Sequence, residues 1–227
     1  MSQTVLFEDL QQIEYKKAWD YQESLMQQIQ EKKKEKVTPI PHHLLFCEHP
    51  HVYTLGKSGA KNNLLINDKF LKQINASYFE SNRGGDITYH GPGQLVAYPI
   101  FDLEQFDFLV KTYIEKLEQA VINTIAVWGI KGHRLEGATG VWLDIDQKQK
   151  TRKICAMGVR VSRWVTMHGL ALNINTDLNY FNHINPCGFV DKGVTSMEKE
   201  TGKQINFDDV KQELKQQLSQ IFALDYI

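Results

Sequence analysis

The chain has 227 residues, 42% of them hydrophobic and 11% aromatic, enough to bury one sizeable core, and 26 Lys and Arg against 27 Asp and Glu give a formal net charge of −1. That balance excludes a chain-wide electrostatic attraction to nucleic acid or an anionic membrane. An acidic start (MSQTVLFEDL) without the apolar run of a secretory signal, no stretch near the roughly 18 apolar residues of a membrane span, and three scattered cysteines without a disulfide framework all point to a cytoplasmic protein.

Tyr15, Ala18, Trp19, Leu25, Met26 and Ile29 recur at helical spacing and predict a first helix, which runs out into the charged sequence EKKKEK at 31–36, expected to be a solvated end. Runs rich in Val, Ile, Tyr and Phe predict strands at 43–47, 52–55, 77–80, 86–89 and 95–100. Val110, Tyr113, Ile114, Leu117, Ala120, Val121 and Ile125 then mark an amphipathic helix, stopped near Gly129, that covers one face of a sheet. Further strands are expected at 139–145, 153–161 and 165–174, the first two joined by the polar tip DQKQKTR at 146–152. Thr195 with Glu198 three residues on fits a capping box for a short helix ending at Gly202. Asn206 precedes a final helix whose stripe is Val210, Leu214, Leu218, Ile221 and Phe222. Strands and helices intermix without regular alternation, so the expected fold is α/β of the α+β kind, a mixed sheet flanked by helices in one domain over residues 1–227.

The segment 82–99, NRGGDITYHGPGQLVAYP, crowds glycines around Arg83, Tyr89 and His90. Such glycines let a ligand approach backbone N–H groups, although the pattern is not that of a phosphate loop and two glycine-rich turns would look alike. Lys153 stands inside the apolar run KICAMGVR; a desolvated lysine is a candidate base or thiol activator, and a strand-end lysine reaching water is the plainer alternative. In Asn185-Pro186-Cys187-Gly188 a turn presents a sulfur with little crowding, and a thiolate there would attack a thioester readily. Strand alternation would put Cys155 on the same face as Lys153, so spacing leaves two thiols in contention. Cys47 lies among His42, His43, His49 and His51, but without the paired spacing of a zinc site, so no metal is expected.

Taken in order, EHP and VYTLG at 48–56, RGGDITYHGPGQLVAYP, KICAMGVR, HGLALNIN, INPCGF and VTSM closely resemble the lipoyl(octanoyl) transferase family over about residues 44–200. The resemblance implies the mixed-sheet catalytic domain shared with biotin and lipoate protein ligases. It implies transfer of octanoyl from octanoyl-acyl carrier protein to a lysine of lipoyl domains, those of 2-oxoacid dehydrogenase E2 subunits and the glycine cleavage H protein, with no cofactor. It makes Cys187 the acyl-thioester nucleophile and Lys153 the residue that lowers its pKa, and it leaves Cys155 where the pattern asks only for a small residue. Substrate-binding positions carried over are Arg83, Gly84, Gly85, Asp86, Ile87, Thr88, Tyr89 and His90, then Ala156, Met157 and Gly158, then Gly169, Leu170 and Ala171. Both protein substrates are expected to be acidic, which nominates Arg83, Arg152, Arg160 and Arg163 for docking. Two other readings stay open: an ATP-dependent ligase of the same fold, which would not need Cys187, and an acyl-binding protein without turnover.

Overall fold

Near-continuous apolar runs such as HHLLFCE and QLVAYPI have no polar face to offer water, so they must lie in a sheet covered on both sides. The computed structural model describes residues 2–185 and 192–227. In chain order it contains β1 (Gln3–Gln12), α1 (Tyr15–Lys34), β2 (His42–Glu48), β3 (Val52–Leu55), α2 (Asp68–Gln73), β4 (Ser77–Glu80), β5 (Ile87–His90), β6 (Gln94–Ile100) and α3 (Val110–Ala126). There follow β7 (His133–Leu135), β8 (Ala138–Leu143), β9 (Arg152–Ser162), β10 (Val165–Asn173), β11 (Gly193–Val194), α4 (Met197–Thr201), α5 (Phe207–Phe222) and β12 (Leu224–Tyr226), with short 3-10 turns at Lys61–Asn63 and Leu178–His183.

The main sheet is mixed, as expected, in the order β12-β1-β2-β6-β10-β9-β8-β7, with β11 added beside β9. β1 runs parallel to both β12 and β2, and the pairs from β2 to β7 are antiparallel. Leu44, Phe46, Leu95, Ala97, Leu170 and Leu172 point to the side covered by α3 and α5, and Leu45, Cys47, Val96, Tyr98 and Ala171 to the side covered by α1. A second sheet, β4-β3-β5, has its own small core around Tyr53, Tyr89 and Leu71.

Several expectations are corrected. Strands β1, β7, β11 and β12 and helix α2 carry too few apolar residues to announce themselves; β1 is held by pairing parallel to strands from distant parts of the chain. The strand expected at 139–145 ends at Leu143, because Asp144 turns into the left-handed region with φ 49°. Helix α4 is capped by Ser196, whose hydroxyl accepts from the Lys199 N–H at 3.2 Å, and not by Thr195, which continues the β11 pairing. The charged run at 31–36 is not wholly solvated either: Lys33 Nζ lies 2.5 Å from Asp102 and 2.8 Å from Glu104 and also donates to the carbonyl of Arg163.

Candidate functional site

Residues far apart in sequence meet in one buried hydrogen-bonded chain. Arg83, only 8% exposed, donates from Nη2 to the carbonyl and hydroxyl oxygens of Thr54 at 2.5 and 2.9 Å. The Thr54 hydroxyl lies 3.5 Å from His90 Nε2, and His90 Nδ1 donates to Gln94 Oε1 at 2.7 Å. Gln94 Nε2 donates to Asn173 Oδ1 at 2.9 Å, and Asn173 Nδ2 to the carbonyl of Thr195 at 3.0 Å. Each member is buried, so each needs its neighbour to offset lost hydration.

This chain borders a cavity of about 410 Å³. Of the nominated substrate-binding residues, Arg83, Gly84, Gly85, Asp86, Ile87, Thr88 and His90 reach its lining from the loop before β5 and from β5 itself, Ala156, Met157 and Gly158 from β9, and Gly169, Leu170 and Ala171 from β10. Tyr89 does not: strand alternation turns it into the second core, where it stacks on Tyr180 and its hydroxyl lies 2.7 Å from His51 Nδ1. The glycines matter because the loop lies directly on the strand: the Gly84 N–H donates to the Val159 carbonyl at 2.9 Å, and a Cβ on Gly158 would stand 2.8 Å from the Gly84 oxygen. Asp86 is spent on the loop itself, accepting from the Ile87 N–H at 2.6 Å and from Asn63 at 2.7 Å.

Lys153 also lines the cavity, with its Nζ 4.5 Å from the centre of the Trp142 ring. Cys155 does not share that wall. The β8–β9 register pairs Val141 with Cys155 and Trp142 with Lys153, so Ile154 is an extra residue and the alternation slips by one. Lys153 thereby joins Ala156 and Gly158 on the cavity wall, whereas Cys155 has no place in that lining and belongs to the buried core. The slip corrects the same-face expectation, and burial, the largest effect, pushes the Cys155 thiol far above its ordinary range, which disfavours its thiolate. Cys187 lies outside the described residues. The described chain on either side of it borders the cavity through Phe181, Lys192, Gly193 and Val194, and Val194 pairs with Lys153 itself.

Sequence reasoning did not find Tyr15, Gln94, Val96, Tyr98, Trp142, Asn173 or Lys192, which also line the cavity. Gln94, Val96, Tyr98 and Asn173 sit inside the motif segments, and the others had no local signal. The lining joins apolar surface from Ile87, Val96, Trp142, Met157, Leu170 and Phe181 to Lys153, Lys192 and exposed backbone, a combination able to hold a hydrocarbon tail beside a reacting carbonyl.

The histidines are structural in their contacts. Burial, then the charges of His49 and Arg83, lowers His90 to about 3, and burial, then Arg83 and Arg160, lowers His168 to about 3. Both are therefore neutral at pH 7. His168 adopts φ 59° inside β10 and is tied down by its N–H to Gln22 Oε1 at 2.8 Å and by Nε2 to Asn82 Oδ1 at 2.7 Å. His49 donates from Nδ1 to the Ile13 carbonyl at 2.6 Å and accepts from the Tyr98 hydroxyl at 2.8 Å. No group of three or more His, Cys, Asp or Glu arranged to hold a metal ion occurs among the described residues. Nor does any described helix have the length and apolarity to cross a membrane. The arginine docking patch is revised: Arg83 points inward to Thr54, Arg152 is held by Asp144 and Glu200, Arg160 contacts Glu23, and Arg163 stands at the β9–β10 turn.

Residues 14–219 match the family described as the lipoyl protein ligase A/B catalytic domain. The chain is 51% identical over 231 residues to an octanoyltransferase of Cytophaga hutchinsonii, covering 98% of this chain and 94% of that one. Its fold resembles that in the structure of an archaeal lipoylation system, a bi-partite lipoate protein ligase and its E2 lipoyl domain from Thermoplasma acidophilum, with TM-score 0.69 at 15% identity, covering 100% of this chain and 85% of that one. It also resembles the biotin protein ligase of Aquifex aeolicus, with TM-score 0.50 at 13% identity, covering 98% and 70%.

Proposed function

Since the chain belongs to the octanoyltransferases of the lipoyl protein ligase A/B catalytic domain family, we propose that it carries octanoyl from octanoyl-acyl carrier protein to a lysine of lipoyl domains through a thioester on Cys187. The acceptors are the lipoyl domains of 2-oxoacid dehydrogenase E2 subunits and the glycine cleavage H protein. Residues 1–227 act as one catalytic domain.

The observation that carries this reading is the docking of the chain after Cys187 onto the Lys153 strand: β11 pairs Val194 with Lys153 at the cavity wall. The Lys153 ammonium favours the Cys187 thiolate. The thiolate adds to the carbonyl carbon of the donor thioester, the carrier's thiolate leaves and takes up a proton, and the octanoyl group stays on sulfur. The neutral acceptor amine then attacks the enzyme thioester, loses its proton, and releases the Cys187 thiolate as the amide forms. Arg83, Thr54, His90 and Gln94 hold the loop that borders the cavity and take no proton in either step.

Intact mass spectrometry after mixing with octanoyl-acyl carrier protein tests the reading. One octanoyl adduct, formed without ATP, cleaved by hydroxylamine and missing in Cys187→Ala, is the expected result. A requirement for ATP would mark a ligase, and stable binding without an adduct or turnover would mark an acyl-binding protein; either outcome sinks the proposal.

A further inference from the structure

We propose that Trp142 is a positioning residue for acyl transfer, its indole face aiming the Lys153 ammonium into the cavity and stabilising its charge. The inference rests on the reading of Lys153 as the group that favours the Cys187 thiolate.

Trp142 and Lys153 are direct cross-strand partners in β8 and β9, next to the slip in register at Ile154, and the Lys153 Nζ sits 4.5 Å from the ring centre. That is within the range over which an aromatic face attracts a cation, and Trp is the strongest such face. The ring cannot turn away, because its Nε1 donates to the Ala138 carbonyl at 2.8 Å and the residue is only 2% exposed. The lysine stem passes beside Gly140, which at φ +121° cannot take a side chain because a Cβ would stand 2.5 Å from the Cys155 oxygen, with Lys153 Cε at an ordinary contact distance of 3.5 Å. The Gly140 N–H is in turn fixed by buried Glu118 Oε1 at 2.9 Å, while Glu118 Oε2 accepts from Arg134 at 3.1 Å.

Among the described residues, the titratable groups around the pair include Cys155 on the same strand, Glu118 from α3, His133 paired with Trp142 from β7, and Lys192 on the cavity wall before β11. Glu118 is bound to Arg134 and the Gly140 amide, and the indole face lies against the ammonium. A strand position that needed only apolar packing would be served by an aliphatic side chain, which has no negative face to offer.

The test follows the rate of iodoacetamide alkylation of the peptide carrying Cys187 as a function of pH, in the full chain. Cys47 and Cys155, at 2% and 0% exposure, are internal controls. Site-specific replacement of Trp142 by mono-, di- and trifluorotryptophan keeps the shape while draining the ring face. The proposal expects alkylation at neutral pH to slow stepwise, reaching about two- to thirty-fold in Trp142→Leu, with Trp142→Phe recovering part of the loss. Equal rates and titration curves across the fluorinated series would overturn it, even if Trp142→Leu proved poorly folded. Lys153→Met separates the two layers: if it fails to raise the thiol's titration, the Lys153 reading itself falls, whereas a raised titration with a flat fluorination series removes only the role of Trp142.

Discussion

The backbone N–H of Thr195 donates to the carbonyl of Lys153 at 2.9 Å, while the carbonyl of the same threonine accepts from Asn173 Nδ2 at 3.0 Å. The chain at 193–195 is thus fastened to the lysine strand on one side and to the buried polar chain on the other. Asn173→Leu removes both Asn173 bonds and leaves Gln94 Nε2 and the Thr195 oxygen without that partner. A loss of about 2–4 kcal/mol is expected, read as a lower urea midpoint at unchanged slope. Acyl transfer should fall as well, since β11 loses an anchor; an unchanged midpoint would contradict the network.

Gly158→Ala tests the contact between the glycine loop and β9. Its Cβ would stand 2.8 Å from the Gly84 oxygen and 3.3 Å from Arg83 Cδ, so the loop must lift. Because a small misplacement of a binding loop costs far more in rate than in folding, kcat/KM should drop about tenfold or more, with about 1–3 kcal/mol lost in stability. Steady-state kinetics beside thermal melts separates the two.

Cys155→Ala should keep the acyl adduct. Cys155 is wholly buried and faces the core, so its removal costs about 1 kcal/mol of packing and leaves octanoyl labelling unchanged. Loss of the adduct in this variant, with Cys187 intact, would move the carrier role to Cys155.

Acid should destabilise the fold through its histidines. Burial lowers His42 and His49 to about 4, and His90 and His168 to about 3, from 6.5. Between those values the unfolded chain binds more protons than the folded one, so the stability is fully present above pH 6.5 and is lost as pH falls. Linkage gives about 1 kcal/mol per histidine between pH 6.5 and 5.5, roughly 4 in sum for independent groups. Denaturant midpoints measured across that window should fall; a flat profile would mean these imidazoles are hydrated.

Much of the fold was legible in the chain because its central strands are apolar throughout and its longer helices carry clean stripes; β3 and β4 agree at both ends with the expected 52–55 and 77–80. The Asn206 cap of α5 was legible too, since its side chain accepts from the Asp208 and Asp209 amides and that preference is local. The ordered motifs likewise pointed to the family that the chain matches. Tertiary structure alone decided the rest. A register slip at Ile154, set by pairing between strands, parts Lys153 from Cys155; alternation sends Tyr89 into the second core and away from the cavity; and Trp142, silent in its own segment, meets Lys153 only across β8 and β9. Sequence spacing carries local preference, but which face a side chain takes depends on partners contributed by distant parts of the chain.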